Sequence, residues 1–339
     1  RQMCIRDRNK GDFRFNVGAI YNYNRNKLDE LPNADQYLYS SYWGSSSLVP
    51  TNDYMFVEGK AIGLVRGFIS EGYYTVDDFN YTNGQYVLKE GVPDITKALT
   101  ATYMHPYDLP AGQTAFPGAA KFRDVDESGT VDLDDATCLG EVMPRHTGSF
   151  QLNFNYKNFD LSTNFNWTAG GKVYNVAAMI NASGQEFDGI GAQRASWVAD
   201  AFKVYNVNAA GDLYAVTNPD ELRALNANAK YHLPYHQSGI TSSEWLENGS
   251  YLRLQTLTLG YTLPKNWLTK VHVDKIRLYL TATNLFTITG YSGIDPEVNA
   301  NPTGQSGFYS DLRIFPTLNM DFGTYPRART FTFGANITF

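Results

Sequence analysis

The last ten residues, TFTFGANITF (330–339), decide the fold because apolar and polar side chains alternate through the whole stretch. The side chains of a β-strand point to opposite faces in turn, so the pattern predicts a strand with one apolar and one polar face. The apolar positions are Phe331, Phe333, Ala335, Ile337 and Phe339.

The same alternation recurs in five segments upstream. Their apolar positions hold mainly Phe, Leu, Tyr and Ile, and their polar positions hold mainly Asn, Thr, Ser and Gln. Each approaches the length that a tilted strand needs to cross a bilayer. These segments are Phe13–Asn24, Gln151–Tyr156, Phe159–Trp167, Thr256–Leu263 and Ile276–Thr283.

Alternation alone also fits a soluble β-sandwich, whose sheets have one wet face. Two features favour a membrane barrel instead. The polar face is rich in amides and hydroxyls, which suits a watery lumen, and aromatic residues gather at strand ends as an interfacial girdle requires. These aromatics are Tyr21, Tyr23, Tyr156, Phe159, Trp167, Tyr261 and Trp267.

The connections between the predicted strands are either short or very long. Short turns are expected at 9–11, 157–158 and 264–274, and long connections at 25–145, 170–249 and 287–327. Outer-membrane barrels show this asymmetry, with short periplasmic turns and long extracellular loops. Ala61–Ser70 resembles a further strand, but one more crossing would place the 157–158 turn on the wrong side. We therefore assign it to extended loop structure.

Composition excludes several classes of protein. The 339 residues carry a net charge of −6, which argues against a nucleic-acid partner. No apolar window is long enough for a transmembrane helix, and Arg1–Lys10 lacks the apolar core of a signal peptide. Cys4 and Cys138 form neither a disulfide framework nor a metal motif. Nucleophile-elbow, zinc-protease and phosphate-loop motifs are absent, so no enzymatic activity is predicted.

An acidic segment, DVDESGTVDLDD (124–135), follows the twelve-residue calcium-loop template, with oxygen ligands at alternate positions and glycine at position 6. An acidic turn without metal is the alternative. Asp at position 12, where Glu is usual, shortens the reach of the last ligand. The expected role of Ca²⁺ is structural. The predicted ligands are Asp124, Asp126, Ser128, Thr130 (through its carbonyl), Asp132 and Asp135.

Three parts of the chain resemble SusC/RagA-like TonB-dependent outer-membrane receptors of the Bacteroidota. The first comprises 122–135 and the hairpin 148–167. The second runs from SYLRL (250–254) through 263–264 and 278–286 to GIDPE (293–297). The third is the ending YPRARTFTFGANITF (325–339). Their order and spacing, rather than one motif, carry the resemblance.

The resemblance implies an all-β fold: about six strands from the C-terminal portion of a large antiparallel transmembrane β-barrel, with long extracellular loops. Residues 9–339 would be the C-terminal part of the receptor barrel, with the plug domain and N-terminal strands absent. Residues 1–8 match nothing in the family and are expected to be foreign junction residues.

The resemblance also implies a function, which is import of a large nutrient, a glycan or an oligopeptide, across the outer membrane. The implied partners are a SusD-like surface lipoprotein, TonB acting through the missing N-terminal region, outer-membrane lipid, and the barrel-assembly machinery, which would recognise the C-terminal strand. The alternative is a secreted calcium-binding β-protein acting as a glycan-binding module. It predicts apolar faces packed against each other.

Aromatic residues in the long connections are candidates for stacking on sugars or peptides, although for each one packing within the loop is the stronger expectation. They are Trp43, Tyr54, Tyr73, Tyr74, Trp197, Tyr231, Tyr235 and Trp245. Asp160, on a predicted polar face, is expected to be a lone solvated charge.

Overall fold

The computed structural model describes residues 2–32, 35–41, 49–100, 105–183, 195–233, 239–269, 273–298 and 319–339. Strands dominate this part of the chain, which confirms the all-β prediction. None of the helices in these ranges has the length and apolar character needed to span a membrane.

The described part of the chain forms strands and short helices. The strands are β1 (Gln2–Lys10), β2 (Phe13–Tyr23), β3 (Gln36–Tyr39), β4 (Tyr54–Val57), β5 (Leu64–Gly67), β6 (Ser70–Tyr73), β7 (Phe79–Thr82), β8 (Gln85–Leu88), β9 (Asp94–Ile95), β10 (Ala120–Phe122), β11 (Thr130–Val131), β12 (Thr137–Glu141), β13 (His146–Tyr156), β14 (Phe159–Ala169), β15 (Lys172–Asn175), β16 (Tyr205–Val207), β17 (Leu213–Ala215), β18 (Leu246–Asn248), β19 (Tyr251–Thr262), β20 (Lys275–Thr289), β21 (Met320–Asp321) and β22 (Thr330–Thr338). The helices are α1 (Lys97–Thr100), α2 (Val176–Ser183), α3 (Ala195–Asp200), α4 (Pro219–Leu225) and α5 (Lys265–Leu268), with 3₁₀ turns at Val76–Asp78, Leu133–Asp135 and Ser243–Trp245.

The long strands form one antiparallel sheet in the order β1-β2-β13-β14-β19-β20-β22. Six of them contain the segments predicted from alternation. The sheet has seven strands where about six were expected, because Gln2–Lys10 also pairs with β2 along its whole length. The sequence of β1 lacks clear alternation, so its strand conformation depends on pairing with β2. Pairing does not test whether residues 1–8 are foreign, so that assignment stays a prediction.

The register aligns residues of one kind across the whole sheet. Phe15 lies opposite Phe154, and Leu280 lies opposite Phe333. Because directly opposed residues share a face, these pairs belong to one apolar row that crosses six strands. The row is Phe15, Phe154, Leu161, Leu259, Leu280 and Phe333.

Aromatic residues lie on this apolar face near both ends of the strands. Phe13, Tyr156, Phe159 and Tyr261 are aligned beside the short turns. Tyr21 lies eight residues further along β2, about 26 Å at ~3.3 Å per residue, and stacks on Trp167 with ring centroids 6.1 Å apart. The two aromatic levels fit a barrel whose apolar band is about 25 Å tall.

The buried cores lie in the long connections rather than on the sheet. One surrounds Phe68, Tyr74 and Phe116, and the other surrounds Tyr54, Tyr174 and Trp245. Ala61–Ser70 contributes β5 to a separate sheet, β12-β5-β4-β3, and does not cross with the long strands, as expected. The long connections are thus folded units at one end of the large sheet.

Candidate functional site

The acidic loop between β10 and β12 brings three of its predicted ligands together. Oxygen atoms of Asp124, Asp126 and Asp135 all lie within 4.8 Å of one another. Within the described ranges, no Lys or Arg forms a salt bridge with any of the three. Three close carboxylates repel one another unless a cation offsets their charge. The arrangement therefore fits a divalent cation of the oxygen-preferring type.

Backbone N–H groups of the loop hold two of these carboxylates in place. Ser128 N–H donates to Asp124 Oδ1 at 3.1 Å and to Asp126 Oδ1 at 3.0 Å, and Gly129 N–H donates to Asp124 Oδ2 at 2.7 Å. Gly129 has a φ of +88°, a left-handed conformation that glycine adopts without strain. Hydrogen bonds from the Ser128 side chain and backbone lower the pKa of Asp126.

Asp135 is the buried anchor of the loop. It is fully buried, and its carboxylate accepts the N–H groups of Val125 at 2.5 Å and Asp132 at 2.8 Å. It thereby closes the loop by joining the first turn to the last. A metal ion bound through Asp135 would contact a carboxylate oxygen that also accepts one of these N–H groups.

The remaining predicted ligands have other partners in this structure. The Ser128 hydroxyl donates to the Thr130 carbonyl at 3.0 Å. Asp132 caps the following 3₁₀ turn by accepting the Asp134 N–H at 2.8 Å. Three of the six predicted ligands therefore converge, and the other three would have to turn toward an ion.

A hydrogen-bonded polar row crosses the opposite face of the large sheet. Asn153 donates to Asn16 at 3.3 Å and accepts from Ser162 at 2.6 Å, and the hydroxyls of Thr258 and Thr281 lie 3.0 Å apart. The row is Asn16, Asn153, Ser162, Thr258, Thr281 and Thr332. Neutral donors and acceptors of this kind can bind hydroxyl and amide groups of a ligand.

Asp160 is not the lone charge that the sequence suggested. Arg277 pairs with both of its carboxylate oxygens, at 2.9 and 2.5 Å. The pair passes over β19 at Gly260, where a Cβ atom would lie 2.4 Å from Asp160 Oδ1. The expectation failed because two strands bring together residues that are 117 positions apart in sequence.

Sequence reasoning missed a buried charge cluster at the long-connection end of the polar face. Arg253 on β19 is only 2% exposed and donates to Asp295 at 2.5 Å and to Glu297 at 3.1 Å. Glu297 also pairs with Arg327 at 2.9 Å. Arg253 is brought to this face by a bulge between Leu254 and Thr256, which period-two counting cannot detect. The cluster attaches the connection after β20 to the sheet.

Comparison with known proteins finds relatives among TonB-dependent receptors. The chain is 28% identical over 329 residues to TonB-dependent receptor P3 of Formosa agariphila. This alignment covers 97% of this chain and 27% of that protein. It is 26% identical over 246 residues to TonB-dependent receptor SusC of Bacteroides thetaiotaomicron, covering 70% of this chain and 19% of that protein. The chain is similar to TonB-dependent receptors of the SusC/RagA type. No family model matches it.

The solved structure of the RagAB peptide transporter supports the fold of this chain. It matches with a TM-score of 0.59 at 19% identity, over 99% of this chain and 28% of that chain. The barrel-type all-β fold is thereby confirmed. The chain spans about 27% of the length of the first curated relative, TonB-dependent receptor P3.

The charge cluster joins the two ends of the second part that carries the resemblance, and links them to the third part. Arg253 lies in SYLRL, Asp295 and Glu297 lie in GIDPE, and Arg327 lies in the ending. Their resemblance to family segments therefore coincides with a shared structural contact.

The aromatic residues of the long connections pack as expected where the structure describes them. Tyr54 and Tyr74 are fully buried, and Trp197 stacks on Tyr231 with ring centroids 4.0 Å apart. Trp245 is 4% exposed, and the ring of Tyr73 packs edge-on against a neighbouring Phe. These side chains form cores and do not offer open stacking platforms. Trp43 and Tyr235 lie outside the described residues.

Proposed function

We propose that this chain forms part of the wall of an outer-membrane transporter that imports a large nutrient in a TonB-dependent manner. The two faces of the large sheet carry the proposal. Phe333 on the apolar row is 74% exposed, whereas the polar row is joined by hydrogen bonds. Such a sheet suits lipid on one side and a watery lumen on the other.

The secreted β-protein alternative requires the apolar faces to pack together. The apolar side chains of the long strands instead remain open, and the hydrophobic cores gather residues from the connections. Leu259, Leu280 and Phe331 are 46%, 42% and 60% exposed. Exposed apolar area of this extent favours a lipid-facing surface.

The proposed partners follow from the same family relation. A SusD-like surface lipoprotein would cover the end with the long connections, and TonB would act through a region outside this chain. The barrel-assembly machinery would recognise β22, whose apolar side chains are open along one face. The cargo is a glycan or an oligopeptide.

A matched pair of substitutions tests the membrane placement. Leu257 lies on the apolar face, midway between the two aromatic levels, and Thr258 lies next to it on the polar face. Arginine on a lipid face costs about 2–4 kcal/mol at the bilayer midplane, whereas lumen positions tolerate it. Leu257→Arg should impair insertion into outer membranes, and Thr258→Arg should not. The reverse order would contradict the placement.

An uptake assay tests transport. Cells with and without the gene would be given labelled glycans and oligopeptides, in the presence and absence of a protonophore. We expect uptake of one of these classes to require both the gene and the proton-motive force. Uptake that is unchanged by deletion for every ligand, or that survives the protonophore, would contradict TonB-dependent import.

We also propose that the acidic loop binds a structural Ca²⁺ ion through Asp124, Asp126 and Asp135. The converging carboxylates support this, since they have no ion-pair partner among the described residues. Extracellular calcium modules bind with dissociation constants of roughly 0.1–1 mM, so weak binding is expected. Terbium luminescence, displaced by Ca²⁺ and abolished by Asp124→Asn, would measure it. Luminescence unaffected by that substitution would refute the site.

A further inference from the structure

A basic pocket of about 330 Å³ lies where β2 ends and β13 begins. It is lined by four cations, Arg25, Lys27, Lys60 and Arg145, and by one carboxylate, Glu141. Four positive charges and one negative charge leave a formal charge of +3, although the chain as a whole carries −6. Its volume falls within the range of small-molecule sites, roughly 300–1,000 Å³.

The walls of the pocket are held by hydrogen bonds between three segments. Leu28 N–H donates to the Lys60 carbonyl, and Gly59 N–H donates to the Leu28 carbonyl, both at 2.8 Å. The Asn26 side chain accepts the Ile62 N–H at 2.7 Å. Asn24 N–H donates to the Arg145 carbonyl at 2.9 Å. The segments that present the cations are therefore fixed relative to one another before any ligand binds.

The positive charge of the pocket is only partly balanced by the protein. Arg145 pairs with Glu141 at 2.7 Å, and Lys27 lies 3.8 Å from Asp29, which is well exposed. In the described ranges of the chain, Arg25 and Lys60 have no carboxylate within salt-bridge distance. Guanidinium and ammonium groups that converge without counter-charges are suited to an oxyanion, and Arg matches phosphate geometry in particular.

The position of the pocket indicates the source of the anion. Arg25 follows Tyr23 by two residues, and Arg145 directly precedes His146. The His146 ring centroid lies 6.0 Å from that of Tyr21 and 5.2 Å from that of Tyr23. Tyr23 is 53% exposed on the apolar face. Exposed aromatics mark the membrane–water boundary of barrels, and a basic pocket at that boundary is placed to meet the phosphorylated headgroups of lipids.

We propose that the basic pocket binds the phosphate group of a lipid headgroup at the rim of the membrane, an inference that rests on the proposed outer-membrane placement. The phosphate would accept hydrogen bonds from Arg25 and Lys60, with Arg145 shared between it and Glu141. The ligand thereby fixes the base of the first long connection to the bilayer surface.

The test compares lipid-bound and free phosphate. The protein in nanodiscs of phosphatidylcholine, with or without bis-phosphorylated lipid A, is analysed by native mass spectrometry for retained lipid A. The detergent-solubilised protein is titrated with inorganic phosphate by calorimetry. The variant Arg25→Gln/Lys60→Gln removes the two unbalanced cations, and Lys203→Gln/Lys230→Gln removes two exposed loop cations as the matched control.

We expect wild type and control to retain lipid A, and the pocket variant to bind it at least about tenfold more weakly, from loss of charged hydrogen bonds. Glu141→Gln should bind it more tightly, because Arg145 is released. Equal retention by the pocket variant and the control would overturn the site. Inorganic phosphate binding as tightly as lipid A would overturn the lipid assignment. Failure to enter bilayers, with phosphate still bound, would refute the membrane placement instead.

Discussion

The buried carboxylate of Asp53 should make the β3-β4-β5-β12 sheet sensitive to pH. Asp53 is fully buried, and its carboxylate accepts the Ser41 backbone N–H at 2.7 Å and the Ser41 hydroxyl at 2.5 Å. Burial raises its pKa to about 7, and the bonds from Ser41 offset only part of that effect. Nearby Arg66 directs its guanidinium to the carbonyls of Asn52 and Leu133.

The sign of the effect follows from proton linkage. Between the ordinary Asp value of 3.8 and the folded value of about 7, the folded state holds a proton that the unfolded state has released. Stability is therefore complete below 3.8 and falls as the pH rises toward 7. Each unit of pKa difference corresponds to about 1.4 kcal/mol, so the loss is about 4 kcal/mol in total and about 2 kcal/mol between pH 5.5 and pH 8.

Hydrogen exchange of peptides that contain Tyr39 and Tyr54 would measure this loss. After correction for intrinsic exchange, protection should fall by about thirtyfold from pH 5.5 to pH 8, since 2 kcal/mol corresponds to that factor. Asp53→Asn keeps a hydrogen-bonding partner for Ser41 without the charge, and should abolish the dependence. Asp29→Asn, at an exposed position, should retain it. Wild-type protection that stays constant across this range would refute the reasoning.

Three further predictions concern the sheet and its attached loops. Gly260→Ala should lower the free energy of unfolding in detergent by about 1–3 kcal/mol, because the added Cβ would push apart the Asp160–Arg277 ion pair that crosses β19. Gly290→Ala is the control and should change stability little, because no atom lies within 4 Å of the Cβ position there. Arg253→Met should cost about 3–5 kcal/mol because it leaves a buried carboxylate uncompensated, and limited proteolysis should then cut the connection after β20. Arg327→Met, at the exposed end of the same cluster, should cost under about 1 kcal/mol, and equal sensitivity of the two would contradict the assignment. Chelation of Ca²⁺ should lower the melting temperature of wild type but not of Asp124→Asn, and a shift of the same size in both would count against a structural ion.

The sequence by itself determined the six strands in which apolar and polar side chains alternate. Period-two alternation is a local property, so residues 330–339 and the five similar segments can be recognised as strands without knowing which strands they pair with. The acidic template at 124–135 is also local, and three of its carboxylates converge as their spacing implied. The resemblance to the receptor family likewise rested on the order and spacing of sequence segments, which are visible without a structure.

Tertiary structure alone decided the contacts that depend on pairing and register. Gln2–Lys10 forms a strand because it pairs with the open edge of β2. Its sequence shows no clear alternation that would predict a strand. A bulge at Gln255 turns Arg253 toward Asp295, which is 42 residues away. Asp160 meets Arg277 only because β14, β19 and β20 lie side by side with glycine between the two charges. The physical reason is that side-chain periodicity specifies which face a residue occupies, whereas register and backbone spacing specify which residue it meets there.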